Sequence, residues 1–238
     1  MAVKIVVASG KGGVGKTTLT VALGKALTAL GNKVLIIDCD RLRSVDLLAG
    51  ITKELVYDFG DVVLGCCEPE QAVYENRGLF VMSCPADYDG VSAEEMKKLV
   101  EHYDCDYNYI LFDAPAGIGK GLSLACAAAE KGIVVSTADL ICVRSACTAA
   151  REMEKMGIPE SRLIINRVDK DMTKGKLLNI DKVIDSTQVQ LIGVVPEDEK
   201  IRLGSMGGEI YKRRHESYKA LSNIAARICG QYVALSLL

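Results

Sequence analysis

A glycine-rich turn wedged between an apolar run and a helical pattern constrains this chain more than any other stretch. Residues 4–9 run straight into Gly10, Lys11, Gly12, Gly13, Val14, Gly15, Lys16, Thr17 and Thr18. Gly10, Gly15, Lys16 and Thr17 satisfy the spacing G-x-x-x-x-G-K-[ST], and a strand before it and a helix after it are the context that gives the spacing meaning. A loop wrapped around phosphate oxygens must turn successive backbone N–H groups inward, which glycine permits where a side chain would collide. Lys16 is then expected on the β- and γ-phosphates and the Thr17 hydroxyl in the shell of a Mg²⁺ ion, with the following helix adding the positive end of its dipole. The alternative is a strand-to-helix turn with no ligand.

The rest of the chain repeats the same alternation. Leu19, Leu23, Ala26, Leu27 and Leu30 recur at spacings of three and four, one apolar helix face ending at Gly31 and Asn32. Residues 33–38 then read as a buried strand, completing a βαβ unit. Further apolar runs follow at 79–83, 109–113, 132–136, 162–166 and 191–196, each continuously apolar as parallel strands covered on both faces should be. Helical patterns lie between them at 93–102, 121–130, 142–156 and 180–186, and from 215 onward Leu221, Ile224, Ala225 and Ile228 share one face. The predicted fold is α/β, a P-loop NTPase with a doubly wound, mostly parallel sheet of about seven strands and helices on both faces. With 238 residues, no repeat and no Pro-rich linker, residues 1–238 are expected to form a single domain.

A hydrophobic share of 49% with 25% charged residues is ordinary for a chain with a sizeable core. The net charge of −2 argues against a protein devoted to coating nucleic acid. Nine cysteines without a C-x-x-C pair suggest reduced thiols in the cytosol, although the adjacent Cys66 and Cys67 leave metal or redox chemistry open beside simple burial. The chain opens into a strand rather than a charged-then-apolar leader, and no run approaches 18 apolar residues. The expected location is cytoplasmic, including the inner face of the membrane.

Ligands of open α/β sheets sit outside the carboxyl ends of the strands. The second apolar run ends in Asp38, Cys39 and Asp40, and the fourth in Asp113, Ala114, Pro115, Ala116 and Gly117. A nucleotide with Mg²⁺ needs carboxylates for the metal shell and for placing the attacking water, because phosphoryl transfer depends on positioning and charge neutralisation. Asp113 after an apolar strand has the Walker B arrangement, whereas Asp38 could equally cap a strand or helix. Asn166 and Arg167 close another strand, and Pro196, Glu197 and Asp198 the last. They could read a base edge, and turns use the same residue types.

These residues together resemble the deviant Walker A ATPases of MinD/ParA type, nearest their MinD branch of cell-division-site (septum site-determining) proteins. The resemblance rests on Lys11 to Thr18, Asp38 to Asp46, Ile110 to Gly117, Asn166 with Arg167, and Gly193 to Asp198. It implies an ATP hydrolase that forms an ATP-dependent homodimer and recruits or positions a partner protein. Lys11 would be the signature lysine reaching the partner subunit's phosphates. Gly12, Gly13, Val14, Gly15, Lys16, Thr17 and Thr18 would cradle the phosphates, and Thr17, Asp38 and Asp113 would hold Mg²⁺. Asp40 would position the hydrolytic water, with Asn166, Arg167, Pro196 and Asp198 at the adenine. ATP rather than GTP follows from the family alone.

Two departures from the family pattern stand out. The stretch between Asp40 and Asp46 is one residue shorter than usual, with Ser44 in place of the customary Asn. Membrane-binding relatives end in a basic amphipathic helix, yet residues 231–238 contain no basic residue, so no targeting helix is recognisable. A ParA-like DNA-partition reading would lean on Lys212, Arg213, Arg214, His215, Lys219 and Arg227, which a solvated helix face also explains. A relative of the nitrogenase iron protein or of a metal-cluster maturation factor would need symmetry-paired cysteines, for which only Cys66 and Cys67 offer themselves.

Overall fold

The computed structural model describes residues 1–88, 90–169, 180–204 and 210–235, with Arg202 described only in its backbone. Among them lie the strands β1 (Val3–Ser9), β2 (Val34–Asp38), β3 (Val73–Asn76), β4 (Leu79–Met82), β5 (Tyr109–Ala116), β6 (Lys131–Thr137), β7 (Ser161–Val168) and β8 (Gln190–Pro196). They form one eight-stranded sheet in the order β3-β4-β2-β5-β1-β6-β7-β8. Seven of the strands match the apolar runs and pair in parallel. The eighth, β3, pairs antiparallel with β4 at the edge. Its four residues are half-buried or exposed, so it lacks the apolar signature of a covered strand. Arg77 and Gly78, both at positive φ, make the two-residue hairpin turn that joins it to β4.

The helices are α1 (Lys16–Ala29), α2 (Val45–Ala49), α3 (Phe59–Val63), α4 (Ala93–Tyr103), α5 (Lys120–Ala128), α6 (Leu140–Lys155), α7 (Ile180–Thr187), α8 (Glu199–Gly204) and α9 (Tyr218–Ile228). The long ones match the helical patterns. The five-residue α2 and α3 are too short for periodicity to betray, and α3 is instead set by a capping box at Asp58 and Asp61. Alternation along β2 shows why both sheet faces are covered. Leu35 and Ile37 enter one core with Met96 of α4 and Leu122 of α5. Val34 and Ile36 enter the other with Leu19 and Leu23 of α1 and Ile224 of α9.

This topology positions the site. From β1, at mid-sheet, the chain leaves through α1 towards β2 on one side, while β6 lies on the other. Connections that diverge in this way open a crevice at the carboxyl ends of the strands.

Candidate nucleotide-binding site

The glycine-rich turn occupies that crevice. Gly15 precedes α1 with φ 89°, and no side chain caps the helix, so the first-turn N–H groups face the loop. A methyl group at Gly15 would also stand 2.5 Å from Asn166 Nδ2, so both backbone and space require glycine. Gly12 and Gly13 are exposed and Val14 is buried beneath them. The loop's two lysines part company: Lys16 is buried, whereas Lys11 is exposed on the rim. Asp139, which caps α6, feels the Lys11 charge. Burial alone would raise its carboxyl, but hydrogen bonds from Cys142 and Thr137 together with Lys11 bring it down to about 2.

Asp113 is the hub beneath the loop and is fully buried. Its Oδ2 accepts from Lys16 Nζ at 2.9 Å and from the Thr17 hydroxyl at 2.7 Å. Its Oδ1 accepts from the Thr20 hydroxyl at 2.7 Å. Thr20 escaped the sequence reading, although it is a buried polar residue one helical turn after Lys16, on the same face. Thr20→Val should leave a buried carboxylate oxygen without its donor and lower stability by about 1–3 kcal/mol. Urea unfolding without nucleotide measures this, and an unchanged midpoint would refute it.

Asp38 stands beside Asp113 in the β2–β5 register and is also buried. Its carboxylate accepts the Asp40 N–H at 2.8 Å and the Val45 N–H at 3.2 Å. Burial first, and then the Asp113 charge, push it up to about 7 against those bonds and Lys16. Two buried carboxylates abreast, faced by one ammonium and the Thr17 hydroxyl, form an all-oxygen donor set that suits Mg²⁺. Among the described residues no group of three or more His, Cys, Asp or Glu could enclose a metal. Asp40 is half-buried and its Oδ1 accepts the Leu42 N–H at 3.1 Å.

On the other side, the Asn166 amide donates to the Val14 carbonyl at 2.8 Å and Arg167 Nη1 to the Gly13 carbonyl at 2.9 Å. Both brace the loop as well as lining a cavity of about 350 Å³ with Thr18, Leu48, Pro196 and Asp198. The Asp198 carboxylate is engaged by the Ser217 N–H and hydroxyl and by the Lys200 N–H. Burial would raise its pKa, but these bonds hold it below the ordinary value. Asp198 therefore shapes the cavity wall, tying it to the start of α9.

Other sequence candidates lie elsewhere. All nine cysteines are free, with Cys66 exposed and Cys67 half-buried beyond α3. Of the basic residues near the end, His215 is buried. Arg227 donates to the carbonyls of Ile192, Val233 and Ala234, so it fastens the tail rather than facing a ligand. Residues 236–238 of that tail lie outside the described residues. Among the described residues no helix is long and apolar enough to cross a membrane.

Residues 5–209 match the family model of the CobQ/CobB/MinD/ParA nucleotide binding domain. The septum site-determining protein MinD of Synechocystis is 38% identical, over 95% of this chain and 89% of its own. That of Bacillus subtilis is 35% identical over 98% and 91%. Among solved structures, a chain of the MinC:MinD cell division protein complex of Aquifex aeolicus aligns with a TM-score of 0.90 at 33% identity, covering 99% of this chain and 98% of that one. MinD of Pyrococcus horikoshii complexed with Mg-ADP aligns with a TM-score of 0.84 at 26% identity, covering 96% of each. A phosphate loop over paired strand-end carboxylates and likeness along almost the whole length agree: the chain belongs to the CobQ/CobB/MinD/ParA nucleotide-binding family and is a MinD-like, Mg²⁺-dependent ATPase.

Proposed function

We propose that this ATPase is a switch that dimerises on ATP and in that form recruits or positions a partner protein. The observation that carries the reading is the division of labour between the two loop lysines. Lys16 lies within its own site, paired with Asp113, whereas Lys11 is exposed beside it. Around the mouth Ile118, Leu140 and Ile141 are 54%, 72% and 65% exposed, an apolar rim suited to a second copy of the chain. The relative from Aquifex aeolicus whose structure is a MinC:MinD complex supports a protein partner.

In this reading the loop N–H groups and the α1 N-terminus bind the phosphates, and Lys16 exchanges Asp113 for phosphate oxygens. Thr17, Asp38 and Asp113 would hold Mg²⁺, which when bound neutralises charge on the β- and γ-phosphates. Asn166, Arg167, Pro196 and Asp198 border the base. Asp40 orients a water in line with the γ-phosphorus, whose bond to the bridging oxygen breaks to leave ADP and phosphate. Lys11 stabilises the charge that develops in the other subunit's site.

Sedimentation velocity tests the switch. The 25.6 kDa chain should double in mass with Mg²⁺ and a slowly hydrolysed ATP analogue, and stay single with Mg-ADP. One mass under both conditions would overturn the dimer. Co-sedimentation with anionic vesicles and with DNA, each with the analogue or ADP, identifies the surface on which it acts. Binding to DNA that requires ATP and weakens steeply with salt would favour the ParA-like alternative.

A further inference from the structure

Tyr88, between β4 and α4, ties together two segments that hydrolysis needs in register. Its hydroxyl donates to the Cys39 carbonyl at 2.5 Å. Its own carbonyl accepts from Lys120 Nζ at 2.6 Å, at the first residue of α5. The Arg41 guanidinium stands 6.0 Å from its ring centroid, at the outer limit of a cation–π contact. One side chain therefore meets the segment around Asp40 twice while its backbone holds the segment that follows Asp113.

The contact at Cys39 matters because of where that carbonyl lies. The Cys39 carbonyl and the Asp40 N–H are opposite edges of one planar peptide. The Asp40 N–H donates to Asp38 Oδ1 at 2.8 Å. The peptide entering Asp40 is thus held at both edges, by Tyr88 on one and Asp38 on the other, and a rigid plane held at both edges fixes the direction in which the next Cα departs. One residue earlier, the Cys39 N–H donates to the Asp113 carbonyl at 2.9 Å, so the anchorage continues into β5.

Gly121 makes the junction possible. A methyl group there would stand 2.5 Å from Tyr88 Oη, 2.6 Å from Pro115 Cγ and 2.7 Å from the Cys39 oxygen. Three chain segments converge on the space that a side chain would fill.

We propose that Tyr88 is a positioning residue for ATP hydrolysis, a strut that sets the peptide entering Asp40 and couples it to the start of α5. The inference rests on the reading of Asp40 as the residue that orients water. Tyr88 does not reach the phosphates itself; it acts through the backbone of Asp40.

Tyr88→Phe removes the hydroxyl and keeps the ring, so the packing survives. In the full chain, single-turnover hydrolysis of Mg-ATP should slow by about tenfold, the upper range for losing one neutral hydrogen bond. Affinity for a fluorescent ADP analogue should stay within about twofold, because the phosphate loop is untouched. Combined with Asp40→Asn, Tyr88→Phe should add no further slowing, as expected of residues acting as a unit. Wild-type hydrolysis in Tyr88→Phe, with Asp40→Asn impaired, would overturn the role of Tyr88 and leave that of Asp40 standing. Wild-type hydrolysis in Asp40→Asn would remove the water-orienting reading and the strut with it. Parallel loss of ADP binding, or additive slowing in the double variant, would assign Tyr88 to the fold or to nucleotide binding and equally overturn the proposal.

Discussion

A Lys11→Ala variant should remain monomeric with Mg²⁺ and a slowly hydrolysed ATP analogue at concentrations where the unaltered chain dimerises. Its hydrolysis should fall by on the order of 10² or more, a conservative figure beside the 10³–10⁵ that a cation supplied in trans gives other P-loop enzymes. Two observations make the outcome specific. Lys11 is exposed, so its loss should change folding stability by no more than about 0.5 kcal/mol. Lys16, Thr17 and the uncapped start of α1 remain in place, so ADP affinity should stay within about threefold. Lys16→Ala is the contrast, because it removes the ammonium that is buried against Asp113 and should lose nucleotide outright. Sedimentation velocity with a fluorescent ADP titration measures both properties in each variant. A Lys11→Ala chain that dimerises normally would refute the composite site, and one that loses ADP would return Lys11 to its own subunit's phosphates.

The parts of the molecule legible in the sequence are those where one short stretch carries the whole signal. The phosphate loop is contiguous, and β1, β2 and β4 to β8 are buried on both faces, so their apolar runs cannot be disguised. The edge strand β3 was hidden because an edge needs no continuous apolar run, and its hairpin turn uses Arg77 before Gly78 rather than the more telling Asn or Asp. The candidate site divides in the same way. Asp38 and Asp113 stand out as acids ending apolar strands, and the register sets them side by side. Thr20 and Tyr88 were not legible. Thr20 looks like one polar interruption in a helix until Asp113 is brought over it, and Tyr88 meets Cys39 across 49 residues of chain. Asn166 and Arg167 read from the sequence as residues for the base, and what the structure shows is that they hold the loop's carbonyls. A bracing role of that kind exists only once strands distant in sequence lie next to each other.

Replacing Asp40 should separate hydrolysis from assembly. Asp40→Ala is expected to slow hydrolysis by on the order of 10²-fold, the lower range for a group that manages the attacking water. ATP binding should survive, because the phosphate loop and the Asp38–Asp113 pair do not depend on Asp40's side chain. The dimer should then outlive that of the unaltered chain, since the step that dissolves it is the one removed. Alanine alone is ambiguous, however. The Asp40 carboxylate also accepts the Leu42 N–H at 3.1 Å, and Arg43, the next residue, sits at φ 48°, paired with Asp58 at 2.6 Å. Deleting the carboxylate therefore loosens a loop that already holds Arg43 in a left-handed backbone conformation. Asp40→Asn resolves this, because its amide oxygen can still accept the Leu42 N–H while the negative charge is gone. Equal losses in the two variants would mean that the carboxylate itself orients the water. Near-normal hydrolysis in Asp40→Asn beside a defective Asp40→Ala would mean that Asp40 is a brace for the loop, and that the water is oriented by another group. Single-turnover hydrolysis and dimer lifetime, measured on the same samples, distinguish these outcomes.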